Sequence, residues 1–312
     1  RLPPARRRIV SVDIHKPGLH AAVVKTPRPT IRPLSAVARF PEVGHFWRDD
    51  GGTTIMARKV FTPDDPALPM NYPGFVFRKL REEGYPAEKL LAETGLEAKL
   101  LSDPHFRCGF QPLRRLLLNA IEQTGDPHLG VKLAREFQPT YIGLPAYTAM
   151  NAATCREGLA ALERYFFLNF PAFDLKLLER HHGLRDDEVA IRFRSKFPFD
   201  GLEYFAFSSV MIAINGLLKS MLGMEQVTTR ADLTISRPDS WSDIADIVRV
   251  PVRFDAGDNQ IIFRQDHLEW PLPGADPINH ARFVVLCEQF AAEMAFETTP
   301  VTQVIAILEG AP

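Results

Sequence analysis

Cysteine is scarce in this chain. Cys108, Cys155 and Cys287 are the only three among 312 residues, and no two form a C-x-x-C pair. That leaves no framework for a disulfide scaffold or a thiolate metal site, and all three read as small buried hydrophobes in a reducing compartment. The short patterns of common enzyme chemistry are missing too: no G-x-S-x-G, no H-E-x-x-H, no P-loop and no dinucleotide glycine pattern. Residues Gly125 and Gly130 bracket a short segment, but Pro127 and the lack of a preceding strand argue against a phosphate cradle. Apolar runs are short. None reaches the ~18 residues of a membrane helix, and the richest, Tyr204 to Leu222, is interrupted by Ser208, Ser209, Asn215 and Lys219. The expectation is a chain with no membrane segment, and no internal repeat is visible.

Metal and catalytic constellations are equally sparse. His181 and His182 fall at the end of a predicted hairpin, where neighbouring side chains point to opposite faces and cannot easily share one ion. His105, His128, His267 and His280 are isolated. Asp186, Asp187 and Glu188 form a charge run that reads as a solvated turn. No catalytic residue, metal site or cofactor is therefore expected.

The net charge of −1 hides an uneven distribution. Residues 1–55 carry 10 Lys/Arg against 4 Asp/Glu, and the remaining residues carry 27 against 34, so an excess of +6 faces one of −7. An acidic body is a poor surface for DNA, whose affinity rests on cations at phosphates. Residues 1–55 also hold seven prolines without sustained periodicity, which reads as a disordered or mis-called extension, with Met56 as the natural start.

From Tyr72 onward helical signals dominate. Short helices are predicted up to Gly84 and from Pro86 to Thr94-Gly95, with a third turn from Leu96 to Leu101. A longer one follows from Gln111 to Thr124, with Leu113, Leu116, Leu117, Ala120 and Ile121 on one face. Asp126-Pro127 caps a helix over 128–137, and Thr154 with Glu157 forms a capping box. Beyond Pro171 the period becomes two: 173–178 and 189–194 read as a hairpin, followed by an apolar helix over about 202–222. A strand is expected at Leu233–Ser236 and a helix from Ser240 to Val248. A second hairpin is expected from Pro251–Phe254 and Gln260–Phe263 across the turn Asp255–Asn259. Pro277 opens a last helix to Phe296, with a predicted buried stripe of Ile278, Phe283, Leu286, Cys287, Phe290 and Met294. The fold class is α+β: a helical N-terminal half packed on a small antiparallel sheet with flanking helices.

Several of these segments share a pattern. Pro251-Val252-Arg253-Phe254 matches P-V-x-F, and Asn259-Gln260-Ile261-Ile262-Phe263 matches N-x-I/L-x-F. Leu268 to Pro277 reads L-x-x-P-L-P-x-A-D-P. Upstream, Leu129-Gly130-Val131-Lys132-Leu133 and the Thr154 helix closing at Arg164-Tyr165 fit the same series. In this order and spacing, residues 72–296 resemble the arabinose-binding-like sensor domain of AraC-type transcriptional regulators. The resemblance implies a cytoplasmic bacterial module that binds a small-molecule effector, forms a homodimer and is joined to a C-terminal pair of helix-turn-helix motifs. Residues 56–297 would be that sensing and dimerising domain. Residues 298–312 would be a linker and the start of the first DNA-binding helix, so DNA would be reached only through a C-terminal domain missing from this sequence.

A ligand cavity needs apolar walls and a few polar groups. Aromatic density around the junction of the two halves points to Tyr141, Tyr147, Tyr165, Tyr204 and Phe207, with Arg156 as a polar member. Two other classes are compatible with the sequence: an enzyme with a pocket between helices and sheet, and a dimerisation module without a ligand.

Overall fold

The computed structural model describes residues 62–294; the expectations for residues 1–55 and 298–312 lie outside them. A two-stranded ribbon, β1 (Leu68–Pro69) with β2 (Arg107–Cys108), stands beside the first helices, α1 (Asn71–Glu82) and α2 (Ala87–Leu90). The turn expected from Leu96 to Leu101 is a 3-10 turn over Leu100–Ser102. The helical half continues with α3 (Phe110–Thr124), α4 (Leu129–Glu136), α5 (Leu144–Met150) and α6 (Cys155–Tyr165). Local signals position these elements. Thr154 Oγ1 accepts the amide of Glu157 at 3.3 Å, while the Glu157 carboxylate accepts the amide of Ala153 at 2.8 Å, closing the capping box at the start of α6. Gly125, at φ 62°, ends α3 in the left-handed conformation that glycine adopts without strain.

The sheet follows. Strands β3 (Phe173–Leu178) and β4 (Glu188–Ser195) form the expected hairpin, with Leu175 opposite Phe193. Helix α7 (Glu203–Leu222) is long and apolar enough to cross a membrane, but 61% of its apolar window is buried inside the protein, where it packs against α4 and the sheet. The remaining elements are β5 (Arg230–Asp232), α8 (Ala245–Val248), β6 (Val252–Arg253), β7 (Asn259–Arg264) and α9 (Pro277–Met294). The sheet order is β3-β4-β7-β5-β6. The architecture is α+β, and one core joins both halves through side chains such as Phe75, Leu116, Leu162, Ile191 and Phe263.

Four expectations need correction. The 251–263 segment is not a hairpin, because β5 lies between β6 and β7. It pairs parallel to β6 and antiparallel to β7. The carboxylate of Asp232, 1% exposed, accepts from Arg253 on one side and Gln260 on the other, both at 2.9 Å, and from Arg230 within its own strand at 3.0 Å. The loop between β6 and β7 then only has to cross the two strand spacings, ~10 Å, that the insertion creates.

That strand also begins earlier than Leu233–Ser236. Its charged residues are admitted because they satisfy one another. The helix expected over 240–248 is divided into a 3-10 turn at Asp239–Asp243 and the short α8, which Arg249 ends at φ 55°.

Finally, the stripe predicted on the last helix is mostly on the outside. Only Cys287 and Met294 of that set are buried, with Phe283 half-buried. Ile278 is 64% exposed, and Leu286 and Phe290 are also open, beside the exposed Val285. The face packed against α5 and α6 sets Cys287, Ala291 and Met294 in an apolar cluster with Ala161, Tyr165 and Leu168, and polar contacts tie it down. His280 Nδ1 donates to the carbonyl of Thr148 at 2.9 Å, Thr148 Oγ1 lies 3.3 Å from Cys287 Sγ, and Tyr165 donates to Glu288.

Candidate functional site

Faces of five segments leave a small space in the helical half. Phe110, Leu113 and Leu117 recur on one face of α3, and Phe205, Ser209, Val210 and Ala213 on one face of α7. Tyr72 comes from the first turn of α1, Phe137 from the end of α4, and Phe170 and Phe173 from the entry to β3. The enclosed volume is about 60 Å³ and its lining is almost wholly apolar, with no Lys, Arg, His, Asp or Glu. Aromatic edges build the walls: Tyr72 meets Phe137 edge-on at 5.7 Å and Phe170 at 6.4 Å.

One polar atom in this wall has no partner. Tyr72 Oη is buried and makes no hydrogen bond. The Ser209 hydroxyl lies nearby but outside hydrogen-bonding geometry, and donates its own proton to the Gly130 carbonyl at 3.1 Å. Burial pushes the Tyr72 phenol well above its ordinary range, so it keeps its proton and stays a donor. A buried donor without an acceptor costs about 1–3 kcal/mol. The Tyr72 oxygen exposes almost no surface to the space, so what the arrangement offers a small molecule is apolar wall.

Gly130 makes the site possible. A Cβ there would lie 2.9 Å from Phe205 Cγ and 2.9 Å from Ser209 Oγ. Its absence lets α4 approach α7 closely enough for both to reach the cavity.

The six residues expected from the sequence do not converge here. Tyr141 packs behind the wall, against Phe75 at 5.6 Å and Phe137 at 5.3 Å. Phe207 packs from the sheet side against Phe173 and Phe199. Tyr147 is on the surface, stacked on Phe283 at 5.6 Å. Tyr165 donates to Glu288. The Tyr204 hydroxyl lies 2.7 Å from His128 Nδ1, and His128 Nε2 lies 2.9 Å from the Ser240 carbonyl. Arg156 is at a shallow charged surface recess, bonded to Glu269 at 2.6 Å and to Glu179. Two further polar side chains of the helical region hold structure. Glu203 accepts the amides of Phe199 and Gly201, and Asn215 accepts from Thr228.

The residues missed were Tyr72, Phe137 and Ser209. Ser209 alone gave a signal, as a polar interruption of an apolar helix.

Among the described residues no group of three His, Cys, Asp or Glu side chains could hold a metal ion. The three cysteines are free and buried, and burial pushes the thiols of Cys108 and Cys155 up to about 11 and about 12. At neutral pH they are not thiolate nucleophiles.

Comparison with known proteins agrees on one family. Residues 84–272 match the family described as the arabinose-binding domain of AraC transcription regulators, N-terminal. The ornithine utilization regulator of Pseudomonas aeruginosa is 20% identical over 245 residues, covering 78% of this chain and 71% of that protein. Uncharacterized HTH-type transcriptional regulators of Mycobacterium bovis and Mycobacterium tuberculosis are each 27% identical over 227 residues, 68% of this chain and 62% of theirs. The chain thus spans about three fifths of the mycobacterial relatives. Among solved structures, the transcriptional regulator CdpR of P. aeruginosa superposes with a TM-score of 0.52 over 77% of this chain and 70% of its own, at 14% identity. That likeness concerns the fold.

Proposed function

Because the chain belongs to the AraC-type transcription regulators through their N-terminal arabinose-binding domain, we propose that it is the ligand-sensing and dimerising part of such a regulator. In this reading it works in the bacterial cytoplasm, binds a small metabolite without transforming it, and acts on DNA through a helix-turn-helix part beyond these residues. Residues 56–297 would be the sensor, and 298–312 would lead toward the DNA reader.

The observation that carries the reading is the apolar space between α1, α3, α4 and α7. Apolar walls with very few orienting polar groups are the usual chemistry of small-molecule sites. A ligand there would touch the long core helix α7 and the first helix at once, so binding would couple their positions. Dimerisation is supported by the outer face of α9, where Ile278, Val285, Leu286 and Phe290 are exposed on one helix. A second copy of the chain is the occupant that the closed symmetry of most soluble oligomers favours.

The test is the thermal midpoint of the purified chain in fractions of a metabolite extract from its own cell. A molecule that binds only the native state raises the midpoint, and the expected fraction does so while being recovered unchanged. Consumption of the additive would point to an enzyme, and no response to any fraction would sink the sensor reading.

A further inference from the structure

We propose that an open polar recess between α1 and the turns at Leu100–Ser102 and Pro139–Ile142 binds a small zwitterion. The molecule is of the amino-acid kind, held through its carboxylate by Arg78 and through its ammonium by Asp103. This site is separate from the apolar space, and the proposal stands apart from the sensor reading.

The recess is built on a close approach. A Cβ at Gly74 would collide with the Leu101 carbonyl oxygen, so glycine lets the Leu100–Ser102 turn settle on α1. The same Cβ would stand 3.7 Å from Arg78 Nη1, which places the guanidinium beside that turn. Tyr141 closes the other side. Its ring is fixed against Phe75 and Phe137, and Asn71 Nδ2 donates to its carbonyl at 3.2 Å. The recess has a volume of about 250 Å³, more than the ~150 Å³ of an engineered cavity that takes benzene.

The charges in it are unpaired. Arg78 makes no hydrogen bond or ion pair among the described residues, although Lys79 and Arg81 on the same helix both do. Asp103 uses one carboxylate oxygen to accept the amide of His105 at 2.8 Å and leaves the other free. The two groups line one recess without closing on each other. A molecule carrying both opposite charges completes both. A guanidinium takes a carboxylate on two parallel N–H donors. An ammonium offers three donors, enough for Asp103 and for the Asn71 Oδ1 that its own amide bond leaves open. A simple anion would meet the Asp103 carboxylate and a simple cation the Arg78 guanidinium, so each gains one attraction and one repulsion.

Calorimetric titration of the full chain at neutral pH and fixed ionic strength tests this with four five-carbon probes: L-norvaline, 5-aminovalerate, valerate and pentylamine. At least one of the two zwitterions is expected to bind saturably, about five- to tenfold more tightly than valerate or pentylamine. Arg78→Gln should bring that zwitterion down to the level of pentylamine. Asp103→Asn, which keeps the oxygen that His105 uses, should bring it down to the level of valerate. Ala213→Leu, in the apolar space, should leave its affinity unchanged. Valerate or pentylamine binding as tightly as both zwitterions would overturn the assignment of paired charges. No saturable binding by either zwitterion would overturn the site, as would affinity kept in Arg78→Gln or lost in Ala213→Leu. The sensor reading is tested separately, by the response to metabolite fractions, and none of these results alters it.

Discussion

Ser209 donates its hydroxyl proton to the carbonyl of Gly130, 3.1 Å away. The bond ties α7 to α4 at the point where the missing side chain of Gly130 lets them meet. A methyl group at Gly130 would stand 2.9 Å from Phe205 and from Ser209, both in the cavity wall. Gly130→Ala gains about 1 kcal/mol of helix propensity but forces an overpacked contact of ~1–3 kcal/mol. The expected result is a net loss on the order of 1 kcal/mol in denaturant unfolding, with a weaker ligand response. Unchanged stability and response would mean that α4 and α7 separate freely.

Asp232 should be among the most sensitive positions of the sheet. Its carboxylate is buried and holds Arg230, Arg253 and Gln260. Asp232→Ala leaves a buried amide and two arginines without their acceptor. Since Arg253 is more than half exposed, the cost expected is about 2–4 kcal/mol rather than that of a fully buried pair. Chemical denaturation measures it, and amide exchange should show the β5 and β6 backbone opening first.

Stability should fall in mild acid through His267. Its ring is buried against Trp270, with centroids 4.6 Å apart, and Nδ1 has no partner. Burial lowers its pKa below the ordinary 6.5, with the nearby Asp266 carboxylate opposing the shift. The unfolded chain therefore binds this proton first as pH falls below about 6.5, and folding loses free energy in that window. His267→Gln should flatten the fall of the thermal midpoint between neutral and mildly acidic pH. A slope identical to that of the unaltered chain would assign the acid sensitivity elsewhere.

The outer face of α9 should control assembly. Leu286→Glu with Phe290→Glu places two charges among exposed apolar side chains and should convert a dimer to a folded monomer in sedimentation. A dimer that survives both changes would place the interface on another surface.

Arg156 gives the opposite contrast. It is bonded at the surface to Glu179 and Glu269, and such exposed pairs contribute at most about 1 kcal/mol. Arg156→Met should leave ligand binding intact by thermal shift, whereas a lost response would return this residue to the site.

Much of the fold was legible where local chemistry decides it. The Thr154–Glu157 capping box, the alternation of 173–178 and 189–194, and the Asp276 cap that accepts the amides of Ile278 and Asn279 all name their elements. Strand order was not legible. The insertion of β5 between β6 and β7 depends on Asp232 reaching two neighbours at once, and its charged sequence resembles a loop. The orientation of α9 escaped for a different reason. Apolar residues run around much of the helix, and periodicity cannot tell which side meets the core. The site was hardest of all. Tyr72, Phe137, Phe173 and Ser209 come from four segments, and only packing shows that they share a space. Aromatic density led to Tyr141 and Phe207, one layer behind the wall.

The most direct test is binding of the active metabolite fraction by the unaltered chain and by Ala213→Leu, followed by calorimetry. The account predicts saturable binding by the first and none by the second, with the variant at least as stable when no ligand is added. Equal binding by both would mean that the effector is recognised outside the cavity between α1, α3, α4 and α7.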